Sequence, residues 1–251
     1  ADWRIPELTL SADVSADRLA GRRGLLSLID QQRQGLAATA AGKAVNGFQE
    51  QAFSLLAGES AREAFDLGRE KVEVRERYGR NLHGQCVLLA RRLVERGVPV
   101  VNINWHNDGK NFWDTHGDNF NRLKNELIPP SDQALAGLLG DLEERGMLQD
   151  TLVAWFGEFG RKPQITAGNA GREHWPFCYS ALLAGGGIRG GQVYGSSDKI
   201  GAYPADKPVQ PQDYAATIFE AMGVSPDYLL YDQTNRPHPV CRGNVISELF
   251  A

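Results

Sequence analysis

From residue 79 onward, stretches of helical period alternate with short β-branched runs, and most are closed by a glycine. Between Gly79 and Arg96, Leu82, Cys86, Leu89 and Leu93 recur every three or four residues, which puts them on one helical face with Arg91, Arg92 and Glu95 off it. Gly97 supplies the left-handed stop. Val98–Trp105 then reads as a strand with Pro99 near its beginning. A helix is expected over Ser131–Arg145, striped by Leu135, Leu138, Leu139 and Leu142 and ended by Gly146. Strands are expected at Thr151–Phe156 and Tyr179–Ala184, and a last helix at Gln212–Met222 before Gly223. That order is α/β, and the unbroken apolar runs predict strands of one sheet, covered on both faces by the helices.

Residues 1–78 carry a different pattern, mainly helices punctuated by glycine, and are expected to form a peripheral helical segment, with the α/β domain spanning 79–251. Ser60-Ala-Arg-Glu63 has the form of a capping box and predicts a helix start near Ser60. Gly185–Gly191 lacks the Lys-Ser/Thr ending of a phosphate loop, so a tight hairpin is expected there. Residues 192–211, rich in Gly, Ser, Asp, Lys and Pro, read as an ordered surface excursion.

Composition narrows the function classes. With 27 Lys+Arg against 31 Asp+Glu, the formal charge of −4 gives no broad electrostatic footprint for nucleic acid. No apolar stretch approaches the ~20 residues needed to cross a bilayer. Three separated cysteines, Cys86, Cys178 and Cys241, form neither a disulfide scaffold nor a zinc knot. A chain of 251 residues can bury roughly three quarters of its unfolded surface without such staples.

In an open α/β sheet the functional crevice lies beyond the carboxyl ends of strands. After Trp105 come His106, Asn107 and Asp108, then Trp113-Asp114-Thr115-His116-Gly117-Asp118-Asn119. Aspartate oxygen and imidazole nitrogen offered together without cysteine suit a divalent cation such as zinc or manganese. An Asx-rich loop that caps its own backbone would use the same residues. After Phe156, Gly157-Glu158-Phe159-Gly160-Arg161 holds a carboxylate between glycines, aimed into the crevice or simply paired with Arg161. Gly171-Arg172-Glu173-His174-Trp175-Pro176 sets a histidine near an arginine just before the third strand. His83 and His238 read as structural or surface residues. No G-x-S-x-G elbow and no H-E-x-x-H motif occurs.

These motifs resemble a known family. Leu88–Val98, Trp113–His116, Gly157–Arg161, Gly171–Pro176 and Leu183–Gly195 together are similar to the DUF1501 family, in family order, from about Arg77 to Phe250. The resemblance implies the alkaline phosphatase and sulfatase superfamily: a central, mostly parallel sheet with helices on both faces. It also implies that the chain is the carboxyl-terminal part of a longer protein exported to the periplasm or cell envelope. Superfamily enzymes use divalent cations held by Asp and His, with a Ser, Thr or formylglycine nucleophile. Carried onto this sequence, Asp114 and His116 match the Asp/His pair of one metal, and His174 the late histidine that completes it. Glu158 would be a further ligand or base, and Arg161 or Arg172 would bind the oxyanion. Phe159 stands where many relatives carry the histidine of an Asp-His pair, which removes that ligand from a second metal site. No C-x-P-S-R sulfatase signature is present, and the nucleophile is expected upstream of Ala1. The implied function is a metal-dependent hydrolase of small-molecule or glycan phosphate or sulfate esters, with zinc first and manganese or calcium as alternatives. The rival expectation is a non-catalytic exported binding protein on the same fold.

Overall fold

The computed structural model describes residues 13–32, 63–105 and 112–251. Ser60 of the expected capping box, and His106, Asn107 and Asp108, lie outside them. The chain divides into two units, Ala1–Asn104 and Trp105–Ala251.

In the first unit, α1 (Ala16–Gln32) begins at Ser15, whose hydroxyl accepts the Arg18 N–H at 3.2 Å. A 3₁₀ turn at Leu67–Arg69, capped by Asp66, leads to α2 (Val72–Tyr78) and α3 (Leu82–Glu95). Asn81 caps α3 by accepting the Gly84 N–H at 2.9 Å. Gly84 must be glycine, because a Cβ there would lie 2.0 Å from the Tyr78 carbonyl oxygen. Ala64, Leu67, Tyr78, Val87 and Leu88 form the core. The boundary expected after residue 78 falls instead at Asn104, because α3 is bound to what precedes it. Arg92 donates to the carbonyls of Ala64 and Glu63, and Gln85 to those of Arg75 and Gly79. For the same reason Arg91 and Arg92 are buried, although periodicity places them off the apolar face, while Leu82 is 48% exposed. Glu70 pairs with both guanidinium groups and Glu95 with Arg91, which makes their burial tolerable. Partial burial pushes the Glu70 carboxyl up, and the hydrogen bonds and charges of Arg91 and Arg92 outweigh it and hold the group below its ordinary value.

The second unit opens with a helix that extends further than expected. α4 (Asn119–Arg122) passes through a wide π turn at Leu123–Leu127 into α5 (Ile128–Glu144). Pro129 and Pro130 precede the start expected at Ser131, yet they sit in the first turn of α5, where a missing N–H costs little. The turn before them widens, with the Ile128 N–H donating to the Leu123 carbonyl. After α5 come β1 (Val153–Trp155), β2 (Gly160–Arg161), β3 (His174–Trp175), β4 (Leu182–Ala184), β5 (Ser196–Ser197) and β6 (Pro204–Asp206). Then follow α6 (Pro211–Ala221), β7 (Leu229–Tyr231), β8 (Pro237–Pro239) and a 3₁₀ turn at Ser247–Leu249.

The strands form four antiparallel pairs, β1–β4, β2–β3, β5–β6 and β7–β8. Among the described residues no parallel ladder forms, and Val98–Trp105 takes no part in a ladder. Pro99 lacks an N–H to offer one. Thr151–Phe156 and Tyr179–Ala184 do meet, antiparallel, through Val153 opposite Ala184. The β5–β6 hairpin orders the excursion between Gln192 and Pro211. The glycine run forms successive turns in place of the expected hairpin. Gly185 and Gly186 hold φ of 73° and 56°, and a Cβ on Gly185 would lie 2.4 Å from the Leu148 and Thr151 carbonyl oxygens. Beyond them Ile188 bridges to Phe250, so the run clasps the end of the chain. No described helix is long and apolar enough to cross a membrane.

Candidate metal centre

Two short segments of β-structure and one tight loop build the site. β2 and β3 pair so that Arg161 lies opposite His174 and Gly160 opposite Trp175. Gly160 is forced by this pairing, since a Cβ on it would approach the Cys178 carbonyl oxygen to 2.1 Å. The loop carrying Asp114 and His116 is folded by local bonds from Thr115 N–H to Trp113 carbonyl (2.9 Å) and from His116 N–H to Asp114 carbonyl (3.1 Å). Asp118 ends it in the left-handed region, φ 48°.

The segment 169–172 docks on that loop. Asp118 and Asn119 donate their N–H groups to the Asn169 and Ala170 carbonyls, and the Arg172 N–H reaches the Thr115 carbonyl at 3.1 Å. Asn169 donates through its amide to the His116 carbonyl at 3.0 Å and accepts the Gly171 N–H at 3.0 Å. The contact is so close that a Cβ on Gly171 would lie 1.8 Å from the His116 carbonyl oxygen. Beneath it Thr115 and Asn119 are buried and hydrogen-bonded to each other at 2.5 Å.

This framework brings Asp114, His116 and His174 together, and they are the described residues whose donor atoms could share an ion. Asp114 Oδ1 lies 2.7 Å from His174 Nε2 and 2.9 Å from His116 Nε2, and the two Nε2 atoms are 3.1 Å apart. A tetrahedral ion with bonds of about 2.0–2.1 Å separates its ligand atoms by about 3.3 Å, so a spread of a few tenths of an ångström would admit one. One carboxylate and two imidazoles form a donor set that suits a borderline divalent cation. All three side chains are between 43% and 47% exposed, leaving the remaining coordination positions open.

The surroundings brace the cluster. The Nδ1 of His116 meets Glu173 Oε2 at 2.7 Å, and the Phe159 ring packs on the His174 ring with centroids 4.3 Å apart. Arg161 donates to Asp114 Oδ1 at 2.6 Å, to the Trp113 carbonyl at 3.0 Å and to the Arg172 carbonyl at 3.1 Å. Arg172 donates to the carbonyls of Lys162 and Arg161 at 2.7 and 3.0 Å. Both guanidinium groups, expected to bind an oxyanion, are therefore engaged in fastening the site's own backbone. Partial burial would raise the Asp114 carboxyl, but the hydrogen bonds from His174 and Arg161, with the Arg161 and His116 charges, bring it down to about 2.

Glu158 is not part of the cluster. It is exposed, forms neither a hydrogen bond nor an ion pair with the described residues, and does not pair with Arg161. It lines a separate cleft of about 2050 Å³, together with Arg161, Arg172, Phe177, Tyr179 and Tyr203, which none of the three donor residues lines. Asp118 also stands apart, its carboxylate accepting from the side-chain amide of Asn121 at 2.8 Å and making no side-chain bond that caps the helix. The carboxylate missed in the sequence is Glu173. It meets His116 where Glu158 does not, and adjacency to His174 is the signal that could have pointed to it.

With the site's geometry established, the chain is assigned to the DUF1501 family, whose model, described as a protein of unknown function, matches residues 2–250. No curated protein and no solved structure matches the chain significantly.

Proposed function

We propose that the protein is an exported, metal-dependent hydrolase of phosphate or sulfate esters, with Asp114, His116 and His174 as metal ligands. The observation that carries this is the convergence of three donor atoms from segments 58 and 60 residues apart. Two imidazole nitrogens beside one carboxylate favour zinc, then manganese, over calcium, which prefers oxygen. When bound, the ion would supply Lewis-acid polarisation of an ester oxygen. The chain's own residues do the holding: Arg161 keeps Asp114 ionised and aimed, and Phe159 fixes the plane of His174. The nucleophile, in this reading, belongs to sequence preceding Ala1.

The fold proposed for the whole protein is the alkaline-phosphatase-like α/β sheet, mostly parallel, with this chain as its carboxyl-terminal part. What supports it is the family resemblance of the motifs and the exposure of Trp155 (47%) and Phe156 (57%) at a two-stranded ladder, a unit too small to be stable alone. Phe159 favours a second reading, a binding protein that retains one ion. It occupies the place of a second site's histidine, and the described residues hold one candidate cluster.

The test is metal analysis of the protein together with assays of aryl phosphate and aryl sulfate hydrolysis by the full-length protein. Bound zinc or manganese with hydrolysis that chelator abolishes is the expected result. Bound metal without hydrolysis of either ester selects the binding protein, and no metal at all removes both readings.

A further inference from the structure

Resting on the metal-site reading above, we propose that Glu173 is the positioning residue of that site, fixing the tautomer of His116 so that Nε2 is the atom offered to a cation. One imidazole is gripped at both ends. Its Nδ1 lies 2.7 Å from Glu173 Oε2, and its Nε2 faces Asp114 Oδ1 at 2.9 Å and His174 Nε2 at 3.1 Å. A carboxylate can only accept, so when a cation takes the Nε2 lone pair the remaining proton of a neutral His116 sits on Nδ1 and donates to Glu173. Left alone in water, a neutral imidazole prefers the opposite tautomer, with the proton on Nε2, where it would block the ligand position. Glu173 thus selects the competent form and, by its negative charge, makes Nε2 a stronger donor.

The carboxylate is held for this duty. The N–H of Lys162 donates to the Glu173 carbonyl at 2.8 Å, and Thr166 Oγ1 stands 3.5 Å from Glu173 Oε1. Its neighbours on either side are held too, Arg172 through its N–H to Thr115 and His174 through β3. Consecutive residues, Glu173 and His174, therefore reach opposite ends of one ring. In the ion-free arrangement each nitrogen of His116 faces a carboxylate, Glu173 Oε2 at Nδ1 and Asp114 Oδ1 at Nε2, and a cation at the cluster would take the place of a proton at Nε2 alone.

The experiment compares wild type, Glu173→Gln, Glu173→Ala and His116→Ala. It measures zinc affinity by competition with a chromogenic chelator, thermal midpoint in chelator, and the His116 tautomer from long-range ¹H–¹⁵N spectra of ¹⁵N-histidine protein. Glu173→Ala should lower zinc affinity by about 10- to 100-fold with little change in the chelated midpoint, and should move the His116 proton to Nε2. Glu173→Gln, whose amide oxygen still accepts from Nδ1–H, should keep the wild-type tautomer and recover most of the affinity. If His116→Ala loses zinc while Glu173→Ala binds as wild type, the role of Glu173 is refuted and the metal site stands. Should His116→Ala bind zinc as wild type, the metal reading itself is wrong. Were Glu173→Ala not to fold, the wild-type spectrum still decides: a His116 Nδ1 that carries no proton overturns the proposal.

Discussion

Asp114 and Asp232 are both aspartates ringed by histidine and arginine, and the origin of their partners separates them. Asp232 accepts from Thr234 N–H and hydroxyl, from Arg236 N–H and Nε, and from His238, all within six residues in the loop joining β7 to β8. Those bonds, led by the Arg236 backbone N–H, lower its carboxyl well below the usual range. Asp114 draws on Arg161 and His174, 47 and 60 residues away, across elements that must fold first. A turn aspartate stabilises the turn that makes it, and its partners are spent on that. At Asp114 the chain assembles donor atoms from distant segments on an open face, the arrangement on which the proposed metal site rests.

The sharpest way to break this contrast is metal binding. His116→Ala or His174→Ala should reduce zinc affinity by more than about 100-fold, since each removes one of three ligands. Asp232→Asn and His238→Ala should leave it unchanged. Competition titration of all four variants checks this, and comparable losses on both sides would erase the distinction.

Much of this site was legible because its chemistry is written in residue types: Asp114, His116 and His174 are the polar residues that solvation explains poorly. Their convergence was not legible, because it depends on the pairing of Arg161 with His174 and on the docking of 169–172 beneath His116. Glu173 was missed for the same reason, since which face of a two-residue strand meets a distant loop is decided by tertiary register. At the level of the fold, glycine stops located α3 and α6 well. The leucine stripe from Leu135 places a helix only from Ser131, so α4 and the π turn on the far side of Pro129 and Pro130 were not legible. Periodicity misjudged Arg91, whose burial depends on Glu70 of a preceding turn.

A second test attacks the close approach that creates the site. Gly171→Ala would drive a methyl to 1.8 Å from the His116 carbonyl oxygen, so the loop must move away from 169–172. A loss of about 3 kcal/mol in stability is expected, by chemical denaturation, with zinc affinity falling in parallel. Wild-type affinity in this variant would show that the loop's position is not what assembles the ligands.

The first unit supplies a charged cluster of the opposite kind, centred on the buried guanidinium groups of Arg91 and Arg92. Arg91 is 1% exposed and meets Glu70 and Glu95, so replacing Glu70 takes one of two carboxylates from a buried cation. Glu70→Gln should cost about 2–3 kcal/mol at pH 7. Because the folded carboxyl is held below its ordinary value, the stability it contributes is fully present above the unfolded value of about 4.3. It is lost as pH falls through the lowered folded value. The gap between wild type and Glu70→Gln should therefore narrow on acidification, as followed by urea unfolding at neutral pH and near pH 3. A gap that stays constant would mean the pair carries no net charge stabilisation.

The smallest effect belongs to the turn aspartate itself. Asp232→Asn keeps a side-chain oxygen that can accept from the Thr234 and Arg236 N–H groups, the bonds that define the turn. What it loses is the charge facing Arg236, which is 73% exposed, and His238, which is 53% exposed. Exposed ion pairs contribute little because water screens them and holding a long side chain costs entropy. The thermal midpoint should fall by no more than about 2 °C. Asp114→Asn, by contrast, removes at once the charge that pairs with Arg161 and the anionic ligand of the proposed cation site. It should change both zinc affinity and the chelated midpoint. Scanning calorimetry of the two variants, each with and without zinc, measures the difference directly. If zinc raises the midpoint of Asp114→Asn as much as that of Asp232→Asn, then the distant partners of Asp114 serve folding alone.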